Sequence, residues 1–501
     1  LSLKNKIYYM SVWRVKPVSA FEADMKKNDL KRVLTRWGLT SLGIGAIIGG
    51  GIFTLTGIAA HDYAGPALAL AFVIAGIGCL FASLCYAEFA SVLPVEGSAY
   101  AYAYGTVGEL FAWFIGWNLI LEYMMGATTV AVAWSGYFVK LLHLFGIEFP
   151  IWLCNDMATA TEKSLAANLA APSFAFNLPA FLITWVVTAI LVKGIKEAAK
   201  TNNIIVIIKI AVVLFVIIVG AFYVKTENWV PFIPDEIPAL DELGNATGKM
   251  NFGFGGVLTA ATIVFFAYIG FDAVSTQAGE AINPKKDVPF AIVASLIICT
   301  VLYILVSLVL TGMVKYTELD RAAPVASAFS GIGINWAVFI ITIAATAGLT
   351  SVMLVMMLGQ TRIFLGMAKD GLMPAFFKVL HPVFKTPYKS TILVGGLISL
   401  VAAFTPIERV SEMCSMGTLL AFAMVCVAVM ILRYKKPELE RPYKTPAVYL
   451  VGTLGVAFNL FLMTQVRAAT WNFFLIWGVL GVIVYFIYGK RNSNLEKQGI
   501  E

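Results

Sequence analysis

The residues with chemistry to offer stand where charge and flexibility are costly. Gly49, Gly50 and Gly51 run consecutively in "SLGIGAIIGGGIF" (41–53), and Gly270 interrupts "TIVFFAYIGFDAVSTQAGEAINP". Glu122, Lys209 and Asp272 are ionisable residues in otherwise apolar stretches. Glycine in a helix interior costs about 1 kcal/mol relative to alanine, so a triplet marks a break. A broken helix leaves N–H groups bare at the start of its second half and carbonyls bare at the end of its first. The N–H end, running into Ile52, suits a carboxylate; the carbonyls of Ala46, Ile47 and Ile48 suit an ammonium. Close helix packing through Gly45 and Gly49 is the alternative, but packing explains spaced glycines and does not need three in a row. Bond-making chemistry is not expected. The three histidines (61, 143 and 381) and six cysteines (79, 85, 154, 299, 414 and 426) show no nucleophile–base pair, metal spacing or disulfide framework.

The elements that must position these residues are membrane helices. Of 501 residues, 59% are hydrophobic and 13% charged, with mean hydropathy +0.84, against about 25% charge in a soluble domain. The apolar residues fall in twelve blocks of bilayer-spanning length: 39–60, 66–88, 108–139, 178–195, 203–224, 255–279, 289–314, 330–361, 391–405, 411–432, 447–465 and 471–488, of which 178–195 and 391–405 are the weakest. The pattern predicts an all-α polytopic membrane protein: a basic N-terminal tail (1–37), one membrane domain (38–490) and a short C-terminal tail (491–501). No cleavable signal peptide is visible, and Met10 or Met25 is a candidate start. With both tails cytoplasmic, 27 of the 36 Lys and Arg residues fall on the inner side. That asymmetry is the positive-inside rule, so the net charge of +7 reports orientation beside anionic lipid rather than nucleic-acid binding. Trp13, Trp37, Trp229 and Trp471 read as an interfacial belt. The segment 234–250 reads as a polar insertion with an N-glycosylation pattern at Asn245. Breaks in spans 1 and 6 occupy matching positions in two sets of five, the pattern of an inverted-repeat transporter.

The chain resembles the cationic amino acid transporter subfamily of the amino acid–polyamine–organocation superfamily. The likeness is carried by "LKRVLTRWGLTSLGIGAIIGGGIF" (30–53), "LPVEGSAYAYAY" (93–104), "FFAYIGFDAVSTQAGEAINPKKDVP" (265–289), "GQTRIFLGMAKDGLMP" (359–374) and "RPYKTP" (441–446), and it covers roughly residues 30–490. The resemblance implies a five-plus-five inverted-repeat fold with discontinuous helices 1 and 6, and secondary transport of amino acids. It also implies that the carbonyls of Phe266, Ala267 and Ile269 take the substrate ammonium, that the Phe266 ring gates the pocket, and that Met356 faces the substrate side chain. Family members often read GTGIF where this chain has GGGIF. Gly50 therefore removes a hydroxyl donor, and carboxylate binding should rest on backbone N–H groups.

Ionisable residues inside a membrane are functional candidates by default. Glu122 orients helix 3 against the unwound segment or attracts a cationic substrate, or else is a buried carboxyl satisfied by a neighbouring hydroxyl or amide. Asp272 is expected to cap the second half of span 6. Glu88 and Glu280 read as solvated or gate-forming, and Arg362 as closing span 8 at the inner face. Lys209 lies about 9 Å into span 5 and could snorkel to the surface. In proton-coupled members of the superfamily that this chain resembles, a lysine on helix 5 stands where sodium sits in sodium-coupled relatives, beside groups matching Thr350 and Ser351. The expectation is a multi-pass plasma-membrane amino acid permease, a proton symporter without cofactor, metal or nucleic-acid partner. An amino acid/polyamine exchanger or a receptor is the alternative. Small and medium neutral amino acids are expected to be carried at least as well as arginine.

Overall fold

The computed structural model describes residues 14–17, 34–92, 98–193, 198–240, 246–384 and 386–498. Met10, Trp13, Met25, Asn245 and the side chain of Glu280 lie outside the described residues. Twelve apolar helices follow the expected order: α1 (Arg36–Ile47), α2 (Leu68–Val92), α3 (Glu109–Leu144), α4 (Leu178–Lys193), α5 (Ala198–Ala221), α6 (Gly253–Val264), α7 (Pro284–Met313), α8 (Asn335–Lys369), α9 (Tyr388–Phe404), α10 (Ile407–Lys435), α11 (Val448–Gln465) and α12 (Ala468–Val484).

α1 and α6 are each 12 residues long. At 1.5 Å per residue they reach about 18 Å, too short for a bilayer core of about 30 Å. Each crossing is completed by a second segment beyond a break. In span 1 this is a helical stretch made of Gly51–Leu55, Thr56–Ile58 and Ala59–Ala64. In span 6 it is a tight 3-10 helix, Asp272–Glu280. Among the described residues, eight helical stretches are long and apolar enough to cross a membrane, the first running from Gly51 through α2, and α4, α9 and the Ile205–Ala221 part of α5 are shorter apolar helices.

Packing joins three pairs of helices five places apart: α2 lies along α7, α3 along α8, and α4 along α9. α11 and α12 are peripheral, with most of their apolar side chains exposed for lipid. Two details go beyond the sequence reading. The insertion 234–250 holds a β-hairpin, β1 (Ile237–Leu240) antiparallel to β2 (Ala246–Asn251), and Phe252 beyond it donates its N–H to the Tyr63 carbonyl at 2.8 Å. α8 continues past Arg362 to Lys369.

Both tails close on one face. Buried Arg14 pairs with the fully buried Glu109 at the start of α3 and with Glu496 in the C-terminal tail. Glu109 also accepts from Tyr104, Tyr485 and Ser493, and Lys16 reaches Asp370 beyond α8 at 3.0 Å. Termini on the same face require an even number of crossings. Glu88 on this face is not solvated: it is fully buried, held by Arg433 at 2.8 and 2.7 Å and by the Thr445 N–H at 2.8 Å. Arg441 of "RPYKTP" lies 3.2 Å from it and donates to the Pro437, Leu439 and Lys436 carbonyls after α10. The motif therefore ties the loop after α10 to the end of α2.

Candidate functional site at the two helix breaks

The break in span 1 falls one step earlier than the glycine triplet predicts. Ile48 is extended (φ −72°, ψ 103°), whereas Gly50 is already helical (φ −56°, ψ −28°). The unwound residues are Ile48 and Gly49. Phe53 donates to the Gly49 carbonyl at 3.2 Å, so the N–H groups of Gly50, Gly51 and Ile52 head the second half without intrahelical acceptors. In span 6 the chain turns at Ile269 (φ −62°, ψ 133°) and at Gly270, whose φ of +121° is open to glycine and strained for other residues.

The two breaks are pressed against each other, which accounts for glycine at both. A Cβ on Gly51 would overlap the Ala267 backbone, and one on Gly270 would lie 2.9 Å from the Ala46 carbonyl carbon. Gly50 differs: a Cβ there would meet only Ala133, Leu349 and Phe266 side chains at 3.5–3.8 Å. Gly51 is thus the packing glycine, and Gly50 faces the Ala133 and Leu349 side chains and the Phe266 ring.

The carbonyl end of α1 is occupied by the protein itself. Lys209 on α5, fully buried, donates to the Gly45 carbonyl at 2.9 Å, the Ile48 carbonyl at 3.1 Å and the Ser351 hydroxyl at 3.3 Å. Its stem passes α8 at Gly348, where a Cβ would lie 2.9 Å from the lysine Cε. Thr350 turns the other way. Its hydroxyl accepts from the Trp134 indole at 2.9 Å and donates to the Thr346 carbonyl at 2.9 Å. One residue's rotation about the helix, 100°, separates it from Ser351. The carbonyls read from sequence as an ammonium site are therefore on hand for Lys209 at Ile48 and for Tyr303 at Ile47.

Tyr303 on α7 was not singled out from sequence. Its hydroxyl lies 2.8 Å from the Ile47 carbonyl and 3.0 Å from the Ala267 carbonyl, bridging the two breaks. A tyrosine inside an apolar helix gives no periodic signal that marks it. Of the remaining acceptors read from sequence, the Phe266 carbonyl receives the Ile269 N–H at 3.2 Å.

Further along α3 and α8 from Gly50's neighbours Ala133 and Leu349, sulfur meets a small residue. A Cβ on Gly126 (α3) would sit 3.5 Å from both Met356 Sδ (α8) and Cys414 Sγ (α10). One helical turn away, Glu122 is fully buried and both carboxylate oxygens lack a hydrogen-bond partner. It neighbours Asp272. Asp272 opens the second half of span 6, and its carboxylate interacts with backbone N–H groups at Gly270, Asp272 and Ala273, where the chain enters that half. Its carboxylate also accepts from Tyr123 at 3.0 Å. Among the described residues, no cluster of His, Cys, Asp and Glu is arranged to hold a metal.

A family profile described as "Amino acid permease" matches residues 34–487. The chain is 44% identical to the branched-chain amino acid permease BcaP of Bacillus subtilis (strain 168), over 97% of this chain and 99% of that one. It is 42% identical to the methylthioribose transporter of the same organism, over 97% and 100%. Cationic amino acid transporter 4, vacuolar, of Arabidopsis thaliana is 37% identical over 82% of this chain and 66% of its own length. The broken helices, the profile and these relatives agree: the chain belongs to the amino acid permease family and is an integral, multi-pass membrane protein.

Proposed function

We propose that this permease carries neutral aliphatic amino acids across the plasma membrane by alternating access, as a proton symporter with both termini cytoplasmic. The observation that carries the reading is the seat of Lys209. Its ammonium joins the end of α1 to α5 and α8 through two carbonyls and a hydroxyl. Its partners are neutral oxygens, so the strength of the bridge rests on the ammonium's charge. Losing it weakens three charge-assisted contacts at once and frees the first half of span 1 to move. The substrate carboxylate meets the N–H groups of Gly50, Gly51 and Ile52. Its side chain lies among Phe266, Leu349 and Met356, an apolar setting that fits the named cargo of the branched-chain relative. The orientation rests on the Lys and Arg asymmetry.

The test is uptake of labelled leucine by proteoliposomes. Accumulation driven by an imposed inward proton gradient, abolished by an ionophore, is the expected result. Exchange of internal for external substrate with no response to the gradient would replace symport by antiport. Uptake of methylthioribose in place of any amino acid would replace the substrate.

A further inference from the structure

α8 ends at Lys369, and the chain then returns to α9 through the loop 370–387. This loop lies on the face of the termini: Lys16 reaches Asp370, and Asn494 donates to the Lys369 carbonyl at 2.7 Å. It doubles back along α8. The Phe377 ring stacks on that of Phe364, with centroids 4.4 Å apart, and Phe364 lies one and a half turns, about 8 Å, before the end of that helix. At its far side the loop is tied to α4, where the Thr386 hydroxyl donates to the Val192 carbonyl at 2.7 Å.

Between these anchors the backbone is fixed by its own hydrogen bonds. His381 Nδ1 accepts from the N–H groups of Val383 and Phe384, each at 3.2 Å, and the His381 N–H donates to the Thr386 carbonyl at 2.7 Å. The side chains this turn presents are apolar: Phe376, Leu380, Val383 and Phe384 are 43%, 45%, 76% and 44% exposed. Scattered apolar side chains on a surface are ordinary. Four large ones close together on an ordered loop form a patch that marks an interaction site. Cations flank it. Lys378 stands within the patch, Lys389 lies over the Phe376 ring at 5.9 Å, and Lys193 follows Val192 at the end of α4. Among the described residues, none of the three lysines is in an ion pair.

We propose that this loop is a docking surface for anionic phospholipid in the leaflet on the face of the termini, with Leu380, Val383 and Phe384 among the acyl chains and Lys193, Lys378 and Lys389 around the headgroup phosphate. Charge selects this occupant. A protein partner or a second copy covering an apolar patch has no need of unpaired cations at its rim, whereas an anionic leaflet attracts each lysine near its surface and buries apolar side chains at the same level. The placement agrees: the loop packs beside α8 above its last turn and joins the ends of α4 and α9, where the helices leave the hydrocarbon. Lipid held here bridges α4, α8 and α9 at one level. The orientation proposed above decides only which leaflet this is.

Native mass spectrometry of the detergent-purified full-length protein, titrated with phosphatidylglycerol or with phosphatidylcholine of the same chains, tests the headgroup. Wild type should bind the first phosphatidylglycerol about tenfold more tightly than phosphatidylcholine. Lys378→Gln combined with Lys389→Gln should bring the two lipids within about twofold. Lys435→Gln combined with Lys436→Gln, at the end of α10 on the same face, should leave the preference unchanged. A spin label on Val383→Cys tests insertion, in a Cys154→Ser background because the other five cysteines are fully buried. In phosphatidylglycerol nanodiscs the label should be relaxed by oxygen and shielded from a water-soluble nickel chelate. Nanodiscs carry the same lipid in both leaflets, so neither result depends on orientation. Equal affinity for the two lipids in wild type, a preference kept without Lys378 and Lys389, or a label open to the chelate overturns the docking surface. Dipolar coupling between labels on two chains would assign the patch to a second copy instead. Reaction of Asn494→Cys with a membrane-impermeant thiol reagent outside intact cells would overturn the orientation alone.

Discussion

At the level of single residues, Lys209 and Tyr303 divide the work of the broken helices. Lys209 is an ammonium donating to two carbonyls of α1 and one hydroxyl of α8; methionine keeps its length and removes the proton. Lys209→Met should retain leucine binding, because the bare N–H groups lie on the far side of the break, yet lose gradient-driven accumulation and the pH dependence of uptake. Accumulation equal to wild type in Lys209→Met proteoliposomes would remove Lys209 from coupling. Tyr303→Phe deletes the hydroxyl shared by the Ile47 and Ala267 carbonyls. A buried polar group left unpaired costs about 1–3 kcal/mol, so Tyr303→Phe should lower the melting temperature; an unchanged melting curve would show that the bridge contributes no stability. Met356→Ser opens space next to Gly126 and Cys414 and should shift preference in a competition assay toward longer substrates.

At the level of elements, the glycine triplet serves two purposes that a substitution series separates. Gly51 meets the Ala267 backbone, which cannot move aside, whereas Gly50 meets only side chains at ordinary contact distance. Gly51→Ala should cost about 1–3 kcal/mol through overpacking at the crossing of spans 1 and 6, read as a lower melting temperature and poor monodispersity in size-exclusion chromatography. Gly50→Ala should fold as wild type. Equal stability of the two variants would mean that the crossing is looser than the distances state. The same series explains where sequence reading of the break was displaced. Glycine's weak helix propensity marks the neighbourhood, but the residue that unwinds is Ile48, because Lys209 pulls its carbonyl out of line.

At the level of the whole molecule, the tails act as a clasp on one face. Glu109 gathers Arg14 from the N-terminal tail, nearby Tyr104, and Tyr485 and Ser493 from the C-terminal end. Removing one partner of a buried ion pair costs about 3–5 kcal/mol, so Glu109→Ala should lower the melting temperature by several degrees and expose the N-terminal tail to limited proteolysis. An unchanged melting curve and cleavage pattern would show that the clasp contributes no stability. Glu88 does the same for the loop after α10, holding Arg433 and Arg441.

Much of this architecture is legible without coordinates, because a bilayer imposes length, polarity and charge rules on every crossing. The twelve apolar blocks became twelve helices, and the resemblance over residues 30–490 is matched by the family profile over 34–487. The marked positions were also legible, since glycine runs and lone charges stand out against an apolar background. Their partners were not. Which of Thr350 and Ser351 faces Lys209 depends on helix rotation, and the two are equivalent by composition. Tyr303 became visible only once α7 lay across both breaks. Glu88 reads as a surface acid until Arg433 and Arg441, some 350 residues along the chain, fold back onto it. Local periodicity records which face of a helix is apolar; it carries no record of which distant backbone carbonyl that face will meet, and in lipid those carbonyls and their donors make the site.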